Sequence, residues 1–447
     1  MISGRFKDGP HTAEGIFQLI ERDITRSAYK PDDLLPSIRD LAKEMNVSPA
    51  TVAAAFRKLA DRGLTYVVRG VGTKVRQQSL LSDALGGSVN VAPVGSIDIA
   101  SGAPDASLLP NLNTYLHRLD VPTALYNVDL MIAKIRDHAA SFMADAIDQR
   151  SAHLTIASGA LDSISDAASA RLRPGDRVIV EDPGFAAASS LLRSHTLTLV
   201  PVAVDDEGFE VNAFADAMQQ GADAVLYSPR AQNPFGSAIT RARAKALRDV
   251  IERHVNDEHG FFVIENDHAS LISEDEYNSL TPSSDTWLST RSLSKSHGPD
   301  LRFAFVAGDA LTIDRIRRNQ ALNRGWMPTI MQNLVAALLS DEEVQRSVVV
   351  AAKHYSNRRQ RLIEALADLG VNAHGRSGLN VHVPVTDEGT ISTALLTLGW
   401  QTRSGQAYRQ HADPFIRLTP AALSEEQIDV LARDVAITLH SGPPVVR

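Results

Sequence analysis

Ser292-Leu293-Ser294-Lys295-Ser296 is followed, seven positions beyond its lysine, by Arg302. A lysine amine is nucleophilic only when neutral, a state that nearby cationic or ordered polar groups promote. The hydroxyls of Ser292 and Ser294 together with a guanidinium suit a phosphate. A lysine in a Ser-rich loop is more often simply solvated, so this segment gains meaning only beside others. Ser158-Gly159-Ala160-Leu161 precedes a helical stretch running to about Leu172, and a glycine at a helix start exposes N–H groups to an anion. Glu181-Asp182-Pro183-Gly184-Phe185 places an aromatic where it can stack on a planar ring or merely fill core. In Asn233-Pro234-Phe235-Gly236 a turn offers an amide within reach of a ring oxygen, although Asn-Pro is common in turns without function.

The elements that would carry these residues are readable. From about residue 98 helical stretches alternate with the Val- and Ile-rich runs RVIVED, ADAVLYSP, FFVIEND and TWLSTRS. That alternation predicts a buried parallel sheet covered by helices, an α/β architecture in which ligands gather at the carboxyl ends of strands.

Taken in order, SGALDSI, EDPGF, SPRAQNPFG, VIENDH and SLSKS with LRFAFVAG resemble the fold-type-I pyridoxal-phosphate-dependent aminotransferases. The resemblance implies that Lys295 joins the cofactor covalently and that Gly159, Ala160, Ser292, Ser294 and Arg302 hold its phosphate. It also implies that Phe185 stacks on the ring, that Asn233 faces the ring 3-oxygen, and that Tyr126 reaches the phosphate across a homodimer interface. Arg417, in FIRLTPAAL, stands where aminotransferases hold a substrate carboxylate. One segment departs from the pattern. A gapless match of Glu265-Asn266-Asp267-His268 to the family's Glu-Asp-Asp-Tyr or Glu-Asp-Asp-His places Asn266 where a carboxylate pairs with the pyridine nitrogen. A carboxylate keeps that nitrogen protonated and the ring an electron sink, whereas an amide supplies a hydrogen bond without charge. Transamination should suffer unless Asp267 shifts into the role.

A different chemistry occupies the first 78 residues. The whole chain of 447 residues carries 45 Lys and Arg against 53 Asp and Glu, a net of −8. Residues 1–78 hold 13 basic against 9 acidic residues, so a head of net +4 precedes a body of net −12. Ile16, Leu19, Ile20 and Ile24 fall at helical spacing. Ser37 with Asp40 forms a capping-box arrangement ahead of Ile38, Leu41, Ala42 and Met45. After a turn at Asn46-Val47, Ser48 caps a third helix with Pro49 at its first position, and Gly63 ends it. Two short helices joined by a tight turn, the second with Ala50, Thr51, Ala53, Ala54 and Arg57 outward, match a helix-turn-helix. The run from Thr65 to Arg76 reads as a hairpin wing with Arg69 and Lys74 positioned for phosphates or the minor groove. LLPSIRDLAKEMNVSPATVAAAFRKLADRGLTYVVRGVGTKV resembles the winged helix-turn-helix of the GntR regulators, which implies that Ser37, Arg39, Ser48, Ala50, Thr51, Arg69 and Gly70 lie at or near DNA. Arg57 joins them on the outward face. Pro49 stands where many relatives carry Arg.

Head and body in this order resemble the MocR subfamily of GntR regulators, with a winged helix-turn-helix over 1–78, a linker over 79–97 and an aminotransferase-like body over 98–447. The implied function is a homodimeric transcription regulator that binds double-stranded DNA and senses pyridoxal phosphate, or an amine or amino acid reacting with it, in control of vitamin B6 or amino-acid metabolism. The alternative is an active aminotransferase carrying a DNA-binding head. With no Cys, disulfides, thiolate metal sites and cysteine nucleophiles are excluded. The lack of long apolar runs and of an apolar core in MISGRFKDGPH leads to the expectation of a cytoplasmic protein without membrane contact.

Overall fold

Thr12 caps α1 (Ala13–Thr25) in the computed structural model of the chain, its hydroxyl accepting from the Gly15 N–H at 3.1 Å. Ser37 caps α2 (Ile38–Glu44) by accepting from the Asp40 N–H at 3.1 Å and donating to the Asp40 carboxylate at 2.7 Å. α3 (Pro49–Asp61) starts on the proline, with Ser48 Oγ accepting from Thr51 N–H at 3.1 Å. Ile16, Ile20, Leu41, Val52, Ala55 and Leu59 meet in one buried core, so the three apolar stripes point at each other. β1 (Thr65–Val68) and β2 (Gly72–Val75) pair antiparallel in register from Thr65↔Val75 to Val68↔Gly72. The chain divides into two compact units, residues 1–88 and 89–447. The described residues are 10–26, 28–30, 33–61, 64–68, 71–75, 95–121, 125, 129–147, 152–255, 260–441. Arg69, Gly70, Tyr126 and most of the linker expected over 79–97 lie outside them.

β3 (Ile97–Asp98) opens the described part of the second unit. The strands β4 (His153–Ala157), β5 (Arg177–Asp182), β6 (Thr198–Asp205), β7 (Gly208–Phe209), β8 (Ala224–Tyr227), β9 (Phe262–Asp267), β10 (Thr286–Ser292) and β11 (Ala304–Gly308) form one sheet. Its order is β4-β11-β10-β9-β8-β5-β6-β7. The five central strands are parallel, and helices of the intervening segments bury both faces. The expectation of a parallel sheet fails at its ends. β11 runs antiparallel to both β10 and β4, and β7 turns back on β6. Residues 293–303 contain no crossover helix, only a short 3-10 turn at Pro299–Leu301, so the chain must reverse after β10. That reversal is the segment carrying Lys295 and Arg302.

A smaller layer follows: β12 (Val381–Pro384), β13 (Trp400–Gln401), β14 (Arg403–Ser404) and β15 (Phe415–Leu418), with β12-β15-β14 in one sheet and β13 paired parallel to β3. Helices Glu342–Asp368 and Glu425–Ser441 close its core through Leu362, Leu366, Leu431 and Val435. Among the described residues no helix is long and apolar enough to cross a membrane.

Leu41 is fully buried where all three helices of the head meet. Leu41→Ala should destabilise the head by about 2–5 kcal/mol, lowering DNA affinity in a filter-binding titration while the unfolding transition of the 89–447 unit stays in place. Equal DNA affinity at 37 °C would contradict this packing.

Candidate functional site

Alternation along β9 decides which polar residues reach the cleft. Successive side chains of a strand point to opposite faces, and here Val263 joins one core cluster while Ile264 joins the other. Glu265 and Asp267 follow Val263. The Glu265 carboxylate accepts from the hydroxyls of Ser279 and Ser289, each at 2.7 Å, and from those of Tyr227 and Tyr277. Asp267, fully buried, accepts from Arg230 Nε at 3.1 Å and Arg230 Nη2 at 2.9 Å, and pairs with Arg291 Nε at 3.1 Å. Both oxygens of Asp267 thus face arginines, on the opposite side of the sheet from Asn266. Asn266 follows Ile264. It is 3% exposed, its Oδ1 has no partner, and it lines a cleft with Phe185, Leu226 and Ser228. His268, just beyond the strand, is part-buried with Nδ1 unpartnered, and burial with the nearby Lys295 charge pulls its pKa down to about 4.

Lys295 sits in the reversal after β10. Its Nζ donates to the Gly102 carbonyl at 2.5 Å. Burial, and then the charge of Arg417, lower its pKa to about 8, so a sizeable fraction of the amine is neutral near physiological pH. Ser292 Oγ donates to Ser294 Oγ at 3.0 Å and accepts from Ser294 N–H at 3.2 Å, which fixes the turn entering the lysine. Arg302 donates to the Ser158 carbonyl at 2.7 Å and lies over Gly159. A Cβ at Gly159, whose φ is +103°, would sit 3.1 Å from that guanidinium. Gly159 and Ala160 thus open the helix Ala160–Arg171 directly beneath Arg302.

Arg417, on β15, is 2% exposed. It donates to Asn233 Oδ1 at 2.9 Å and to the Ala100 carbonyl, and its guanidinium lies 5.1 Å from the centre of the Tyr408 ring. Burial lowers its pKa. Among the described residues no carboxylate lies within 4.0 Å of Lys295, Arg302 or Arg417, whereas Arg230 and Arg291 are paired. Lys295, part-buried, and Arg417, buried, are cations close to one another, and Arg302 is exposed above the Ala160–Arg171 helix start.

Residues called from the sequence gather as follows: Asn233 with Arg417, Gly159 and Ala160 with Arg302, Ser292 and Ser294 before Lys295, and Phe185 with Asn266. In the head Arg39, Ala50 and Arg57 are exposed, as are Ser37 and Ser48, whose hydroxyls also cap helices. Sequence reasoning missed the turn Asp98–Gly102, whose carbonyls reach Lys295 and Arg417. It missed Glu181 too, which lines the cleft and accepts from Ser228 N–H at 3.0 Å; burial raises its pKa to about 8, so it stays largely protonated. Asp98 carried a local signal, a carboxylate able to fold its chain back two residues on, but nothing in the sequence gave its target.

Residues 12–75 match the family model for bacterial regulatory proteins of the gntR family, and residues 118–435 that for aminotransferase class I and II. The vitamin B6 salvage pathway transcriptional repressor PtsJ of Salmonella typhimurium is 34% identical over 443 residues, covering 98% of this chain and all of that protein. The chain belongs to the MocR-type branch of the GntR family. This MocR-type protein is a transcription regulator with an aminotransferase-like body. The body's fold is that of the multiple substrate aminotransferase of Thermococcus profundus, with a TM-score of 0.70, 19% identity, and 78% of this chain and 92% of that one covered. Kynurenine aminotransferase of Pyrococcus horikoshii superposes with a TM-score of 0.69 at 20% identity, over 78% and 91% of the two chains.

Asp267→Ala would leave two buried arginines short of their shared anion, and removing one member of such a group typically costs about 3–5 kcal/mol. Since Arg291 also contacts Asp145, the lower end is expected, as a shift of the urea midpoint for the 89–447 unit. A variant of unchanged stability that specifically loses ligand would instead place Asp267 in the cleft.

Proposed function

We propose that this regulator binds pyridoxal phosphate at Lys295 and reads the cofactor, or an amine that reacts with it, without turning it over. The observation carrying the proposal is that Lys295, part-buried and close to the Arg417 charge, has no carboxylate partner among the described residues, while Arg302 lies over the Gly159–Ala160 helix start and the buried Asn266 Oδ1 has no partner. The residues fit this cofactor. Arg302 with the Gly159–Ala160 helix start would take its phosphate, assisted by Ser292 and Ser294. Phe185 and Asn266 would take its ring, with Asn233 and His268 toward the ring oxygen. Arg417 would take an effector carboxylate. When bound, pyridoxal phosphate supplies a carbonyl carbon that an amine captures and a pyridine ring that withdraws electrons if its nitrogen is protonated.

Asn266 offers that nitrogen an amide, and Asp267, held by two arginines, offers nothing. His268 is neutral as well. Among the described residues of this cleft the one carboxyl group, Glu181, is largely protonated, so no anion there would hold a proton on the ring, and removing one such electrostatic contact commonly costs about 3 kcal/mol, roughly a hundredfold or more in rate. Capture at Lys295 needs only a neutral amine, which the depressed pKa provides. The resemblance to the PtsJ repressor supports vitamin B6 metabolism as the regulated process. Homodimerisation, with Tyr126 reaching a partner's phosphate site, and the 1–78, 79–97 and 98–447 division belong to the same proposal, as does binding of duplex DNA through Arg39, Thr51, Arg57 and Arg69.

Two outcomes test it. The rate of cofactor capture should rise with pH to a midpoint near 8, because the folded amine loses its proton there and not near the ordinary 10.5; borohydride trapping from pH 6.5 to 9.5 reads this, Lys295→Ala should trap none, and a midpoint near 10 would contradict the buried setting. Single-turnover spectroscopy with amino acids should show binding by the parent but conversion to pyridoxamine phosphate at least tenfold faster in Asn266→Asp. Rapid conversion by the parent would establish the aminotransferase alternative.

A further inference from the structure

Lys295 and Arg417 come from distant parts of the chain, yet one five-residue turn touches both. Gly102 O accepts from Lys295 Nζ at 2.5 Å, and Ala100 O accepts from Arg417 Nη2. The turn starts from a fixed point. Ile97 N–H donates to Gly399 O at 2.8 Å, Ile99 N–H to Gln401 O at 3.0 Å, and Thr419 N–H to Ile99 O at 3.0 Å, so β3 is pinned on both sides. Beyond Ile99 no strand holds the backbone. The Asp98 side chain does so instead, its Oδ1 accepting from Ala100 N–H at 2.8 Å and Ser101 N–H at 3.0 Å. Those two bonds turn the N–H groups back toward the strand and leave the carbonyls of Ala100 and Gly102 aimed at the cations. Space allows little else: Gly102 has φ +67°, and a Cβ there would meet the Arg417 guanidinium at 3.1 Å.

We infer that Asp98 is a positioning residue of the ligand site, acting through the Ala100–Gly102 turn to orient Arg417 toward an effector carboxylate. The inference rests on the reading of Lys295 and Arg417 as the ligand site. Arg417 lacks an anionic partner, so its orientation depends on Asn233, the Tyr408 ring and the Ala100 carbonyl. Loosening the turn removes the only backbone carbonyl among these supports. Asp98 itself is exposed and outside the apolar core, so its replacement leaves the fold standing. The Asp98 charge also acts on Arg417, against the effect of burial.

The test uses the full-length protein loaded with pyridoxal phosphate and matched amines, L-alanine against ethylamine and L-phenylalanine against phenethylamine, each pair differing by the carboxylate alone. Spectral titration gives the preference for the carboxylate-bearing member. Asp98→Ala should lower that preference at least fivefold with ethylamine and phenethylamine bound as before. Asp98→Asn keeps Oδ1 as an acceptor and should stay within twofold of the parent. A general loosening would weaken both members of each pair equally and overturn the inference, as would a preference unchanged in Asp98→Ala or lost to the same degree in Asp98→Asn. A parent that captures cofactor but shows no carboxylate preference would overturn the role of Arg417, and the inference with it. A parent that captures no cofactor would overturn both through Lys295.

Discussion

Two buried carboxylates on β9 hold the site in its shape. Glu265 collects four hydroxyls and Asp267 two arginines on one side of the sheet. Because strand side chains alternate, those bonds fix the register that turns Asn266 toward Phe185. A slip of one residue would bury two arginines against an amide and send a carboxylate into the cleft. Unpaired buried charge is costly enough to make this register a strong constraint, and the neutral character of the cleft floor follows from it.

The same economy of charge separates paired from unpaired arginines of the second unit. Arg230 and Arg291 are neutralised by Asp267 and Asp145, with Tyr277 packed against both guanidinium groups. Arg302 and Arg417 hydrogen-bond to carbonyls and an amide and keep their charge uncompensated. On the proposed reading, a phosphate or carboxylate would meet donors that are oriented already, with little ordering left to oppose binding. A ligand can shift a regulator only through unequal affinity for two of its states, and a preorganised pair of anion sites gives such a ligand the contacts through which to act.

Much of this was legible in the sequence. The caps at Ser37 and Ser48, the apolar stripes of the head and the Val- and Ile-rich strands all depend on local spacing, which a linear reading resolves. The sequence places Asn266 between Glu265 and His268, and the strand alternation that turns it away from Glu265 and Asp267 follows from its position alone. What escaped depends on strand order. FAFVAG is equally apolar in either direction, so β11 could not be read as antiparallel. The partners of Asp267 come from 37 and 24 residues away and meet it only once β8, β9 and β10 lie side by side. The carbonyls of Gly102 and Ala100 reach cations 193 and 317 positions further along the chain.

The central claim is that occupancy of Lys295 is what the head reports. The direct measurement is the affinity of the full-length protein for a duplex that it has itself selected from a random-sequence library, at fixed salt because phosphate contacts make such affinities salt-dependent, with and without pyridoxal phosphate. The account predicts an affinity that changes at least fivefold on loading in the parent and stays constant in Lys295→Ala. Equal affinity of the loaded and unloaded parent, with loading verified by borohydride trapping, would contradict it.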